Sequence, residues 1–263
     1  MDLGHCLLKI RDGFHATVIE AQEFIKAMEK LIGPCDPMAL SKFSSSISSK
    51  DKEKVDDILK RQKVKKNKKG IYVPGYIYET EEDFSLIVRY LAPTEFRHIV
   101  AETTMVYLIS INEAFVSEFL KLIYRHRSNM LKSNKKQLSY EEVCCQDSLE
   151  DLIAYMAEKK AAATVDDGID KMDTYLNEQF NIELNKYKGW QDLRESVYRR
   201  NIIIHNRGIA NKTYCKKIDS SKELGKKVET DYKYAIDLAE NISGFIDYMH
   251  NKIAKKLKLR LDY

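Results

Sequence analysis

Proline stops at Pro93 and does not return between residues 94 and 263. Proline fixes φ, lacks an amide N–H and breaks helix interiors, so a stretch this long without one favours continuous helical packing. The four prolines of the chain, Pro34, Pro37, Pro74 and Pro93, all lie on the N-terminal side of that limit. Within the proline-free region Gly168, Gly189, Gly208 and Gly225 fall where the apolar periodicity breaks. They read as punctuation between helices.

The periodicity itself predicts four long helices. The last is the clearest: Val228, Tyr232, Ala235, Ala239, Ile242, Ile246, Met249, Ile253 and Leu257 recur every three or four residues and define one apolar face. An early helix over about Glu95 to Leu131 carries Met105, Leu108, Phe115, Phe119 and Leu122, with further apolar residues that place it centrally in a core. A third starts at an N-cap at Ser148 with Leu149, Leu152, Ile153 and Met156, continuing or restarting through Ile169, Met172, Leu176 and Phe180. A fourth runs from about Lys188 through His205, with Trp190, Leu193, Val197 and Ile204 on one stripe. The expected fold is all-α, an antiparallel bundle of four to five helices over residues 93–263.

Residues 1–92 are expected to form a mostly helical N-terminal extension. Ala16 to Ile32 reads as a helix ended by Gly33-Pro34, Ser44 to Ser49 as a polar break, and Asp51 onward as a charged helix. Ile71 to Tyr78 has β-forming residues around a Pro-Gly turn.

Composition excludes several classes. A chain with 44% hydrophobic and 32% charged residues is neither a disordered tail nor a membrane protein by composition. No apolar stretch is expected to approach bilayer-spanning length, and the first residues lack the pattern of a secretory signal, so a cytoplasmic location is expected. The five cysteines, Cys6, Cys35, Cys144, Cys145 and Cys215, have no metal-ligand spacing and are expected to be free thiols. Glycine-rich phosphate loops, Gly-x-Ser-x-Gly elbows and His-Glu-x-x-His motifs do not occur, which removes kinase, NTPase, serine-hydrolase and zinc-protease readings. No metal and no cofactor is expected. Net charge is +4, and seven of the ten residues from Lys60 to Lys69 are basic. Such a block attracts nucleic-acid backbone by counterion release, and Tyr72, Tyr76 and Tyr78 behind it offer stacking surfaces.

The segment from Trp190 to Cys215, WQDLRESVYRRNIIIHNRGIANKTYC, carries the candidate chemistry. Arg200, Asn201 and His205 form Arg-Asn-x-x-x-His. With the helical surroundings and the Asn206-x-Gly208 that follows the histidine, this resembles the HEPN superfamily over roughly residues 95 to 258. The resemblance implies a ribonuclease whose motif arginine and histidine act together, with Asn201 as the polar residue after the arginine. It also implies a homodimer with a composite site, and a toxin or antiviral-defence role with a regulatory partner or antitoxin. Arg199 stands at an allowed spacing from His205 as well, so both arginines remain candidates.

The residue chemistry suits RNA cleavage. Attack of a 2′-hydroxyl on the adjacent phosphorus needs a base, an acid for the leaving oxygen, and positive charge for the developing dianion. Histidine titrates near neutrality and serves as acid or base. Arginine stays charged and offers a forked donor set to phosphate oxygens. On a helix Arg200 and His205 lie about 140° apart, while Asn201 and His205 share a face, so two copies of the motif across a two-fold axis would complete a site better than one. Arg199, Arg207 and Lys212 are candidate RNA-backbone contacts. Glu113 and Glu118 on the early helix are read as facing water, with the motif helix as the alternative. Two other readings stand beside the nuclease: a non-catalytic helical RNA- or protein-binding module, and a nucleic-acid-binding regulator using the basic segments.

Overall fold

The computed structural model describes residues 3–32, 50, 53, 54, 57, 94–132 and 138–259. The expectations for Ser44 to Ser49, the lysine run 60–69 and the tyrosines at 72, 76 and 78 lie outside the described residues. So does most of the charged helix expected from Asp51.

The described residues are all-helical, joined at one point by an isolated antiparallel bridge between Ile209 and Lys227. In order they form α1 (Leu3–Ile32), α2 (Thr94–His126), α3 (Tyr140–Cys144), α4 (Leu149–Asp166), α5 (Ile169–Phe180), α6 (Trp190–Asn206), α7 (Lys212–Lys217) and α8 (Tyr232–Leu257). Short 3-10 turns follow α2, α5 and α7.

The chain divides into two compact units. The larger contains Met1–Ala21, Met105–Val228 and Asp237–Tyr263. Its core is built around α2, where Met105, Leu108, Ile109, Phe115, Val116, Phe119, Leu120 and Ile123 are all buried. Buried residues cover most of the helix surface and leave one exposed stripe through Thr103, Tyr107, Ser110, Ala114 and Glu118. From Arg97 to His126 this helix has a mean hydropathy of 1.3, long and apolar enough to pass for a membrane span. That corrects the sequence-based expectation that no stretch reaches such length. Half of its most apolar window is buried inside the protein, and a core helix needs an apolar composition close to that of one wrapped by lipid.

The smaller unit contains Gln22–Thr104 and Glu229–Ile236. Ile25, Ala101, Tyr232 and Ala235 form its described core, flanked by Val100 and Ile236. A ring nitrogen of His98 lies 2.8 Å from the carbonyl oxygen of Thr230.

Local chemistry sets the helix ends. Ser148 caps α4 as expected: its hydroxyl accepts from the Asp151 amide at 3.1 Å and donates to the Asp151 carboxylate at 2.5 Å. α4 ends at Asp166, and Gly168 (φ 88°) supplies the left-handed residue from which α5 restarts. The face of α4 that is buried carries Ala157, Ala161 and Thr164, whereas Leu149 is exposed. Small residues let α4 and α5 approach closely, and the predicted large-residue stripe is half-buried at best. Asp170, on α5, receives Arg194 at 2.6 Å, Tyr198 at 2.7 Å and Lys217 at 2.5 Å, tying α5, α6 and α7 together. These donors outweigh the effect of partial burial and hold its carboxyl well below the usual range.

Candidate functional site

The motif lies on α6, which buries Trp190, Leu193, Ser196, Val197 and Ile202. Ile204, expected on the buried stripe, is instead 49% exposed. The apolar face drifts because Ile202 turns inward to join Ala210, Tyr214, Cys215 and Val228 in a small core beyond the helix end. That core is stitched by backbone bonds from Ala210 to Lys226 (2.9 Å), from Gly225 to Ala210 (2.9 Å) and from Val228 to Gly208 (2.8 Å). Val228, expected inside the last helix, belongs to this extended connection and precedes α8.

α6 stops at Asn206. Arg207 adopts a left-handed conformation (φ 55°) and the Gly208 amide reaches back to the Ile202 carbonyl at 3.0 Å, a Schellman-type closure. The Asn206 side chain donates to the Ile209 carbonyl at 2.6 Å and fixes the turn from outside. The motif's C-terminal half is therefore held by backbone geometry on both sides.

The three expected site residues occupy different environments. Arg200 is half-buried and ion-paired with Glu113 of α2. Its Nε is buried with no hydrogen-bond partner among the described residues. Asn201 is half-buried. His205 is exposed. Among the described residues no hydrogen bond or ion pair links these three side chains to one another.

Glu113 thus faces the motif helix, not water, which corrects the sequence reading. Glu118 stays on its own helix, paired with Lys121 at 2.9 Å. Burial pushes the Glu113 carboxyl above its ordinary value, against the pull of Arg200 and with a smaller push from Asp166.

The second arginine has other partners. Arg199 donates to Glu195 at 2.9 Å, and the Tyr214 hydroxyl donates to the same carboxylate oxygen at 2.5 Å. Burial and Glu195 together push the Tyr214 hydroxyl well above the ordinary tyrosine range. This cluster joins α6 to α7 and accounts for Arg199 structurally. The Glu195-x3-Arg199 spacing, one helical turn, was the sequence signal for half of it. Tyr214 had no such signal, because its approach depends on the turn after Asn206.

Arg207 and Lys212 are both exposed. Arg207 projects from the turn that ends α6, and Lys212 opens α7, whose N-cap Asn211 accepts from the Tyr214 amide at 2.9 Å. Among the described residues no three His, Cys, Asp or Glu side chains gather as metal ligands. Cys6, Cys144, Cys145 and Cys215 are free. Comparisons with family models, with curated proteins and with solved structures return no match.

Proposed function

We propose that this protein is a metal-independent endoribonuclease of the HEPN type, acting in the cytoplasm as a homodimer and serving as a toxin or antiviral-defence effector under a regulatory partner. The observation that carries the reading is His205: a solvent-facing imidazole, one and a half turns beyond Arg200 on a single well-anchored helix, with two exposed cations close by in sequence. Its exposure leaves the ring open to a substrate, and histidine is the side chain most often used as a general acid or base.

In this scheme His205 takes the proton of the ribose 2′-hydroxyl as its oxygen attacks the adjacent phosphorus. The 5′-oxygen leaves with a proton from His205 of the partner subunit. The products are a 2′,3′-cyclic phosphate and a 5′-hydroxyl end. Arg200 neutralises the phosphorane charge, Asn201 steadies the imidazole, and Arg199, Arg207 and Lys212 contribute positive potential along the RNA backbone. Arg200 is preferred to Arg199 because the polar Asn201 follows it directly.

The test is incubation with total cellular RNA in excess chelator, with cleavage ends mapped. Wild-type protein yields cyclic-phosphate ends, and His205→Ala lowers the rate by at least about a hundredfold. Because His205 is exposed, the variant's thermal midpoint stays within about 2 °C of wild type. Light scattering gives the mass of two chains for both. Intact RNA with wild-type protein, or an unaffected His205→Ala, removes the nuclease reading.

The second reading, a non-catalytic RNA- or protein-binding module, is favoured by the Arg200–Glu113 ion pair, which occupies the arginine in the single chain. It is distinguished by RNA retention without cleavage.

A further inference from the structure

Away from the motif, the larger unit contains a half-open cavity of about 200 Å³ lined by Leu138, Met156, Lys159, Lys160 and Ala163. That is roughly the room of seven liquid-water volumes at about 30 Å³ each, enough for a short hydrocarbon chain. Three of its walls are apolar side chains and the other two bring amines on aliphatic stems.

The two amines are not equivalent. Lys159 is paired with Glu142 at 2.5 Å, and that carboxylate also accepts from Tyr155 at 2.8 Å and from the Ser139 amide at 2.7 Å. Lys160 is half-buried and makes a single hydrogen bond among the described residues, to the Met130 carbonyl at 2.7 Å. Its Nζ sits 5.2 Å from the centre of the Tyr124 ring and 5.9 Å from that of Tyr175. The two tyrosine hydroxyls are bonded to each other at 2.5 Å. Aromatic faces stabilise an ammonium but accept no N–H as a carboxylate does. An ammonium has three donors, so two remain for a ligand. Burial lowers the Lys160 amine below the ordinary lysine range, and no carboxylate among the described residues compensates it.

We propose that this cavity is a binding site for a small monocarboxylate with an apolar tail. The carboxylate takes the two spare donors of Lys160, while the tail lies against Leu138, Met156 and Ala163. A phosphate dianion would need more donors than one amine supplies, and a neutral hydrocarbon would leave those donors unused. The site is independent of the nuclease reading and uses none of its residues.

Calorimetric titration with octanoate, and with octanol as the neutral counterpart, tests it on the full-length protein. Saturable octanoate binding is expected, with octanol at least about tenfold weaker. Lys160→Met should lose about ten- to a hundredfold in octanoate affinity, and Lys160→Arg should stay within a few-fold of wild type. Ala163 is exposed, so Ala163→Trp can fill the cavity without disturbing the core, and it should abolish binding of both compounds with an unchanged circular dichroism spectrum. Equal affinity for octanoate and octanol, wild-type binding by Lys160→Met or by Ala163→Trp, or no saturation below about 10 mM (roughly 3 kcal/mol of binding free energy) would each overturn the proposal.

Discussion

At the scale of single residues, the Arg200–Glu113 pair shows how one contact serves stability and restrains chemistry together. Replacing Arg200 with alanine leaves a half-buried carboxylate without its cation, and unpaired charges of this kind are costly. Partial solvent access moderates the cost, so Arg200→Ala is expected to lower stability by about 1–2 kcal/mol in urea unfolding at pH 7. Adding Glu113→Gln should restore at least half of that loss, since the orphaned charge is removed. A double variant no more stable than Arg200→Ala would mean that the guanidinium acts by packing and not by charge. The same site marks what could be read from sequence. Arg200, Asn201 and His205 were legible as a spacing on one helix. The partner of Arg200 was not, because Glu113 lies 87 positions away and its orientation depends on how α2 packs.

At the scale of elements, the end of α6 matters most. Arg207 holds a left-handed backbone conformation that costs an L-residue about 1–2 kcal/mol, while the glycine stands one position later. Arg207→Gly is therefore expected to leave the fold intact or raise its stability by up to about 1 kcal/mol. Under the proposed function it should also weaken RNA binding and flatten its salt dependence by about one phosphate contact. A stabilised variant with wild-type RNA affinity would confine Arg207 to the turn. Helix boundaries illustrate the limits of periodicity in the same way. The long apolar repeats of α2, α6 and α8 were visible, and so was the Ser148 cap. The short α3 and α7 were not, since each has fewer than two full turns in which a repeat can register. α1 begins at Leu3, where the sequence reading started it at Ala16, because Gly13 weakens the pattern yet sits in a helix with open space around it. The buried alanines of α4 escaped notice for a related reason: small residues contribute little to an apolar stripe while permitting the closest approach.

At the scale of the whole molecule, the larger unit contains a latent sensitivity to acid. His250 on α8 is completely buried, and neither ring nitrogen finds a hydrogen-bond partner among the described residues. Burial first, then the Arg11 guanidinium, hold it below its ordinary value, against smaller pulls from Asn251, Asp247 and Asp12. The sign follows directly. Well above pH 6.5 the ring is neutral in both folded and unfolded chains, and almost no proton is taken up on unfolding. Below that value the unfolded chain binds a proton that the folded chain refuses, so stability falls as pH falls, by at most about 1.4 kcal/mol per pH unit. Urea midpoints measured from pH 7.5 to 5 should decline in wild type, and His250→Leu should remove most of the slope. His15, which meets Asp247 at 3.0 Å, is common to both proteins and drops out of the comparison. Identical slopes would show that His250 finds compensation on protonation.

One small helix behaves differently from the rest. α3 buries none of its residues, and Tyr140 at its start is 84% exposed. What docks it to α4 is Glu142, whose carboxyl is lowered to about 2, chiefly by Lys159 and then by the Ser139 amide and Tyr155. A segment fastened by charge with no greasy anchor answers to electrolyte before temperature. In concentrated sodium chloride its amides should exchange with deuterium, and its backbone admit a protease, while the buried helices of the larger unit stay shut.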